Sequence, residues 1–503
     1  MSPIRRLATP ILGTLSGLAI AAGPAGAAVE LSTRPKLSPA FDLRVSDYVA
    51  RCTPGKDVRV FVRASDGARV SIAGGKRHGG TFERRVSRGQ DEAFTIRVRS
   101  GGKTTAHSVR CLPRDFPRWK FESKGRAQAQ WYLLAPTAQL RQGYAVVVDT
   151  RGVPVWWWHS SSWGPWDAKL LPDGTLAWGR YFGDHFGIRG KRNAYEVRRL
   201  DGSLVRLVRT VGSSTDTHDL QRLRNGNFLV LTYRPRPHVD LSHDARGGPS
   251  DVTVFDAEIQ EVTPRGKVVW RWNSKNHIPT SWTTGTGSEG WWHHNTPDKQ
   301  PGYENTRDLV HLNSVEPDGD GLILSARHLD SVVRITRATG AVDWKLGGTF
   351  VPGKSLQVIG APPGFGGENL FGGQHDARLW KDGSLTVHDN GSWQSRRPWM
   401  DRFAIDPLTR TARLVERVAN PDVTWSAAIG GARKLRGGNW VVAWGASPLV
   451  TEQTPSGKVV RRLEFTDGLV TYRAAPVEPG RISAAALRRG MDRMVAARRA
   501  TGR

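Results

Sequence analysis

Three histidines stand in equivalent places of a repeated pattern. His218, His311 and His375 each lie eight residues ahead of a turn glycine: Gly226, Gly319 and Gly383. The same place is Trp166 ahead of Gly174, and Gly430 ahead of Gly438. The chain has only 14 His in 503 residues, so three in five equivalent places is more than random scattering gives. An imidazole can be a nucleophile, a general acid or base, or a metal ligand. Arg327 lies as far beyond Gly319 as His311 lies before it, so an ideally paired hairpin makes them cross-strand neighbours. Asn313, two residues on, shares the face of His311. A bulge in Asp318-Gly319-Asp320-Gly321 would shift the pairing by one residue and turn Arg327 away.

Several donors around a fixed positive charge suit a tetrahedral oxyanion. Transfer of a sulfuryl or phosphoryl group needs an in-line nucleophile, cations on the equatorial oxygens and a proton donor for the leaving oxygen. Three His with Arg327 and Asn313 supply these parts without a metal or an organic cofactor. Three converging His also suit a divalent metal, though Arg327 would then be an unfavourable like-charge neighbour. Phosphate-cradling glycine loops and Ser or Cys nucleophile motifs are absent in the contexts they require.

The histidines sit in strand, Gly turn, returning strand elements: WDAKLLPDGTLAWG, HDLQRLRNGNFLVLTY, HLNSVEPDGDGLILSAR, HDARLWKDGSLTVHDN and GGARKLRGGNWVVAWG. A second hairpin recurs between them, marked by Gly152, Gly202, Gly266, Gly340 and Gly457, each followed four residues on by Trp or Arg. Two hairpins make a four-stranded blade. Six such units over 118–475 predict a six-bladed β-propeller, in which equivalent residues converge on one axis. The spacing predicts insertions near 234–251, 273–306 and 347–373, read as binding loops at the channel mouth. The exposed Trp282, Trp291 and Trp292 could stack on phenols or sugars.

Ahead of these units, 30–117 alternate apolar and polar residues in short runs, which predicts a small β-sandwich. Arg5 and Arg6, the apolar stretch 7–22 and Ala25-Gly26-Ala27 read as a signal peptide over 1–27, hence export to the cell envelope or beyond. Export permits a disulfide, and Cys52 and Cys111 are the only two Cys, so they are expected to pair. Cleavage would lower the net charge from +27 by two arginines, 27 − 2 = +25. No basic run interleaved with aromatics precedes the tail, which argues against nucleic acid as partner. No apolar run of membrane length lies beyond residue 30, so no spanning helix is expected. The tail 476–503 reads as a basic, Ala-rich helix without a strong apolar stripe, solvated or in contact with an anionic envelope surface.

HLNSV at 311–315, LSARH at 324–328, VDWKLGG at 342–348, QHDARL at 374–379 and Trp444-Gly445 resemble the bacterial arylsulfate sulfotransferase family, as a divergent secreted member. The resemblance covers 118–470. It implies a secreted propeller that moves a sulfuryl group from a phenolic sulfate ester to a phenolic acceptor without a nucleotide sulfate donor. It implies His375 as nucleophile through a sulfohistidine, His311, Asn313 and Arg327 on the sulfuryl oxygens, and His218 binding the sulfuryl group or moving a proton. The residues alone leave two other readings open: a metal-dependent hydrolase or lyase on an anionic polysaccharide, and a non-catalytic binding protein of the cell envelope.

Overall fold

A computed structural model describes residues 29–137, 143–160, 164–180, 193–243, 248–283, 293–294 and 306–501. The expected signal peptide, Trp291 and Trp292 lie outside the described residues. The protein is mostly β.

The N-terminal segment forms a three-stranded sheet (Val29–Arg34, Val58–Ala64, Gly80–Val86) and a five-stranded one containing Asp47–Ala50, Ala93–Ser100 and Lys103–Cys111. Alternation drives it: Val58, Val60, Val62 and Ala64 are buried, while Arg59 and Arg63 between them are more exposed. They share one core with Ile72, Phe94, Ile96 and Val98 of the second sheet. Cys52 and Cys111 are joined by a disulfide, Cα to Cα 5.3 Å, closing a segment 59 residues apart in sequence.

Beyond it the described residues form six sheets, each with four antiparallel strands, which in five of them follow chain order. Their inner strands are Pro165–Leu170, Thr215–Arg222, Leu312–Asp318, His375–Leu379, Gly431–Lys434 and Val470–Val477. Each inner strand touches the next, and Val470–Val477 touches both Pro165–Leu170 and Gly431–Lys434, so the strands form a closed ring. Two distant pieces of chain make the closure. Val470–Val477 supplies the inner strand of the sheet begun by Trp131–Thr137, and Trp119–Ser123 adds to the outer edge of the sheet that holds Val459–Phe465. In the sheet begun by Trp131–Thr137 the inner strand therefore comes from a distant part of the chain.

The insertion near 234–251 is partly an extension of the ladder itself. Phe228–Val239 pairs with Val252–Val262 well past the usual strand length, and Arg234–Glu258 and Arg236–Asp256 ion pairs line the extension. In 347–373, Gln357–Ile359 adds in parallel to Thr411–Val418. Trp282 is half-buried against a hydrophobic core rather than freely exposed.

The tail differs from its sequence reading. Ala484–Thr501 is a helix, but it is docked, not solvated. Leu487, Met491 and Met494, spaced i, i+4, i+7, form the buried stripe against the sheets. Gly490 lies so close to Leu200 that a Cβ would stand 2.4 Å from its carbonyl oxygen. Ion pairs accompany the stripe: Arg488 pairs with Asp47 at 2.6 Å, Arg498 with Asp91 at 2.6 Å, Asp492 with Arg110 at 2.8 Å, and Arg499 with Glu92. Arg488, Arg498 and Arg499 are therefore engaged with the N-terminal segment. This is the only α-helix among the described residues, and no helix there is long and apolar enough to cross a membrane.

Met491→Asp is expected to undock the helix, since it places a charge in an apolar site. Limited proteolysis should then cut within 484–501 at a protease dose that leaves the unaltered protein intact. Arg473→Met, which strips the cation from a buried ion cluster on the ring axis, is expected to lower stability to denaturant by about 3–5 kcal/mol.

Candidate functional site

The inner strands are not regular where the histidines occur. Register shifts fall between Trp166 and Lys169, Asp216 and Leu220, Leu312 and Ser314, and His375 and Arg378. Asp167, His311 and Asp376 take left-handed φ values of 50°, 49° and 59° there. Bulges of this kind re-aim side chains. Trp166, His218 and His375 contact one set of partners, while the aspartates that directly follow them, Asp167, Asp219 and Asp376, contact another.

The aspartates build an ion cluster on the ring axis. Arg473 Nη1 donates to Asp167 Oδ1 and to the His218 carbonyl, both at 2.7 Å. Its Nη2 donates to the Asn313 carbonyl at 2.7 Å, and its Nε lies 3.0 Å from Asp376 Oδ1. Lys169 bridges Asp167 and Asp219 at 2.6 Å each, Arg378 bridges Asp219 and Asp376, and Arg433 pairs with Asp376 at 2.7 Å. Burial alone would raise the Asp219 carboxyl, but Arg378, Lys169 and Arg473 outweigh it and hold it well below the ordinary carboxylate range.

The imidazoles form the second group. The rings of His218 and His311 are 4.9 Å apart edge to face, and His328 stacks on His311 at 4.6 Å. Tyr472 meets His218 at 5.9 Å and stacks on Trp166 at 4.5 Å. Each ring is anchored through Nδ1: His218 to Asp216 Oδ1 at 2.7 Å, His311 to Asp308 Oδ2 at 2.6 Å, His328 to the Asp308 carbonyl at 2.6 Å. His375 Nδ1 faces Asn390 Oδ1 at 2.8 Å and the Gly373 carbonyl at 2.9 Å. These oxygens only accept, which assigns the hydrogen to Nδ1 in every ring and leaves Nε2 as the second nitrogen. Burial lowers His311 to about 4, against the opposing pull of Asp308. Burial, with Arg327 adding, holds His375 well below its ordinary value, so it is neutral at neutral pH.

Arg327 reaches its place by two offsets that cancel. The turn pairs Asp318 with Gly321, one residue out of the symmetric register. A bulge at Asn313 restores it, so Leu312 pairs with Ala326 and Arg327 N–H donates to the His311 carbonyl at 3.0 Å. The guanidinium touches His328 Nε2 at 3.1 Å and the Ala427 carbonyl at 3.0 Å, and stacks over Trp393 at 4.8 Å. Burial lowers it to about 10, so it stays cationic at neutral pH.

His218, His311 and Arg327 are thus parts of one cluster with His328. His375 is one loop away: Ala427 takes the Arg327 hydrogen bond, and Ile429 N–H donates to His375 Nε2 at 3.2 Å. Asn313 is elsewhere. Its Nδ2 donates to the Gln374 carbonyl at 2.8 Å and its Oδ1 accepts from Asp376 N–H at 3.4 Å, so its amide braces the backbone on both sides of His375. Sequence reasoning missed Asp216, Asp308, His328, Asn390, Tyr472, Arg473 and Tyr233, whose hydroxyl lies 3.3 Å from His311 Nδ1. Asp216-x-His218 and Asp308-x-x-His311 were readable as local pairs; Asn390 and Arg473 have no local signal.

Asp308, His311 and His328 are the only compact set of metal-ligand types among the described residues, with one donor atom of each within 4.8 Å of the others. They do not fit a metal well. Asp308 Oδ2 already accepts from His311, and His328 Nε2 already accepts from the Arg327 guanidinium.

A model of the arylsulfotransferase (ASST) family matches residues 120–475. No curated protein sequence matches the chain. Among solved structures, a protein of unknown function from Bacteroides caccae is similar at 12% identity and TM-score 0.42, over 69% of this chain and 99% of that one. An auxiliary nutrient binding protein from Bacteroides ovatus is similar at 12% identity and TM-score 0.33, over 83% of each chain. The WD40 β-propeller domain of Doa1 is similar at 10% identity and TM-score 0.34, over 86% of this chain and 92% of that one. The family match spans most of the chain and takes in His218, His311, Asn313, Arg327 and His375, and the chain belongs to the arylsulfotransferase (ASST) family.

Proposed function

We propose that the chain is an exported aryl sulfotransferase whose six sheets are the blades of a β-propeller, preceded by a small β-sandwich, and that His375 carries the sulfuryl group between donor and acceptor. The observation that carries this reading is the neutral His375, its hydrogen fixed on Nδ1 and Arg327 close by as a fixed cation. A neutral imidazole with its hydrogen on Nδ1 has a lone pair on Nε2 and is a competent nucleophile.

In the first half-reaction Nε2 attacks sulfur of an aryl sulfate. The N–S bond forms as the S–O bond to the aryl group breaks, and the aryloxide takes the Nε2 proton of His218, which enters this step as an imidazolium supported by Asp216 and leaves it neutral with its remaining hydrogen on Nδ1. In the second, a phenol returns that proton to His218, its oxygen attacks sulfur, and the N–S bond breaks. Arg327 and His311 serve the sulfuryl oxygens. Asn313 acts by bracing the His375 strand, a role that its two backbone contacts favour over direct substrate binding. Ile429 N–H must leave Nε2 for attack, and it is then placed to donate to a sulfuryl oxygen. The natural donor and acceptor are phenolic small molecules in this reading, and no metal takes part.

Exposure to para-nitrophenyl sulfate without acceptor is expected to add one sulfuryl group, read by intact mass and mapped to the peptide bearing His375. His375→Ala should abolish the adduct; an adduct that survives it overturns the assignment. Arg327→Met should slow adduct formation by about 10²–10³-fold. Because burial keeps His375 neutral, adduct formation from this good leaving group should vary by no more than about twofold from pH 5.5 to 8. An acid limb centred near the ordinary His value would contradict the buried, neutral nucleophile.

A further inference from the structure

The anchors of the imidazoles differ in charge. His218 and His311 hang on the carboxylates of Asp216 and Asp308. His375 hangs on two uncharged carbonyl oxygens, those of Asn390 and Gly373. The orientation of the Asn390 amide is fixed by what lies behind it. Its Nδ2 donates to Ser426 Oγ at 3.0 Å and to the Ile429 carbonyl at 2.8 Å, so its oxygen must face His375. Asn390 and Ser426 are fully buried. The charged and titratable groups around His375 are Arg327, His218 and His388. His388 is its cross-strand partner, lowered to about 4 by burial, and Asp376 beside it is neutralised by Arg433, Arg473 and Arg378.

We propose that Asn390 is a positioning residue for sulfuryl transfer: its amide oxygen holds the hydrogen on His375 Nδ1 without supplying a negative charge, so that the sulfated ring keeps that proton and stays an activated donor. The proposal rests on the reading of His375 as nucleophile. When the Nε2 lone pair forms the N–S bond, the electron pair of the S–O bond leaves with the aryloxide and the Nδ1 hydrogen stays. The sulfated ring is then an imidazolium, and its N–S bond breaks readily because neutral imidazole departs. A carboxylate in the place of Asn390 would have two effects. It would favour a protonated, non-nucleophilic ring before attack. It would also draw the Nδ1 proton off the sulfated ring, leaving a neutral N-sulfoimidazole whose departure would need an imidazolate.

Asn390→Asp and Asn390→Ala separate this from mere packing. For Asn390→Asp, adduct formation from para-nitrophenyl sulfate should develop an acid limb, about tenfold slower at pH 5.5 than at pH 8, and transfer from the adduct to phenol should slow by about tenfold or more. Asn390→Ala should lose rate equally at all pH values. Nitrogen NMR of ¹⁵N-histidine-labelled, donor-free protein should find His375 neutral with hydrogen on Nδ1 from pH 5.5 to 8, and titrating within that range in Asn390→Asp. Equal, pH-independent losses in the two variants, or a His375 signal in Asn390→Asp that matches the unaltered protein, would overturn the proposal. Absence of any adduct on His375 in the unaltered protein would instead overturn the sulfuryl-transfer reading, and the NMR comparison would still decide whether Asn390 governs the ring proton.

Discussion

The fold hangs on one buried guanidinium. Arg473 sits on the ring axis in the strand that closes the ring, and it reaches residues of four other inner strands: Asp167, the His218 carbonyl, the Asn313 carbonyl and Asp376. Four cations (Lys169, Arg378, Arg433, Arg473) face four acids (Asp167, Asp219, Asp376, Glu316) in this cluster. Ions taken out of water are costly unless paired and hydrogen-bonded, and here the pairing crosses sheets. No inner strand can leave without stranding a charge on its neighbour. Two of the atoms that Arg473 holds belong to His218 and Asn313, so ring closure and site geometry share one contact.

The bulges make that sharing feasible. A regular strand points successive side chains to opposite faces. At the bulged positions His218 and His375 join the imidazole group while Asp219 and Asp376, next in chain, join the ion cluster. Each His–Asp pair thus serves two layers of the axis, one chemical and one structural. Positive φ accompanies the bulges at Asp167, His311 and Asp376, whereas the His218–Asp219 pair is accommodated without it. The C-terminal helix adds the outer restraint. Its apolar stripe grips the sheets near Leu200 and its arginines grip Asp47, Asp91 and Glu92, so the N-terminal sheets are fastened to the ring by the last residues of the chain.

Much of this was legible in sequence, for local reasons. Turn glycines with positive φ, such as Gly226, Gly319 and Gly383, mark hairpins because a Cβ is disfavoured there, and their spacing aligns His218, His311 and His375. What escaped was non-local. Asn390 anchors His375 from just past the end of the returning strand, 15 residues on, and nothing in its own neighbourhood marks it out. The docking of the tail is non-local too: an Ala- and Arg-rich helix shows a weak stripe on average, whereas three residues, Leu487, Met491 and Met494, suffice when the partner surface accepts Gly490 at contact distance.

The sequence by itself determined the period, the alternation and the cysteine pair: local turn chemistry, side-chain faces and the presence of just two thiols do not depend on distant residues. The tertiary structure alone decided where Arg327 and Asn313 went. The hairpin turn is one residue out of symmetric register, and the compensating bulge forms at Asn313, whose amide is bound to the backbone around Gln374 and Asp376 in the next sheet. A one-residue shift reverses every side chain beyond it, and whether it is undone depends on a neighbouring sheet that no local pattern encodes.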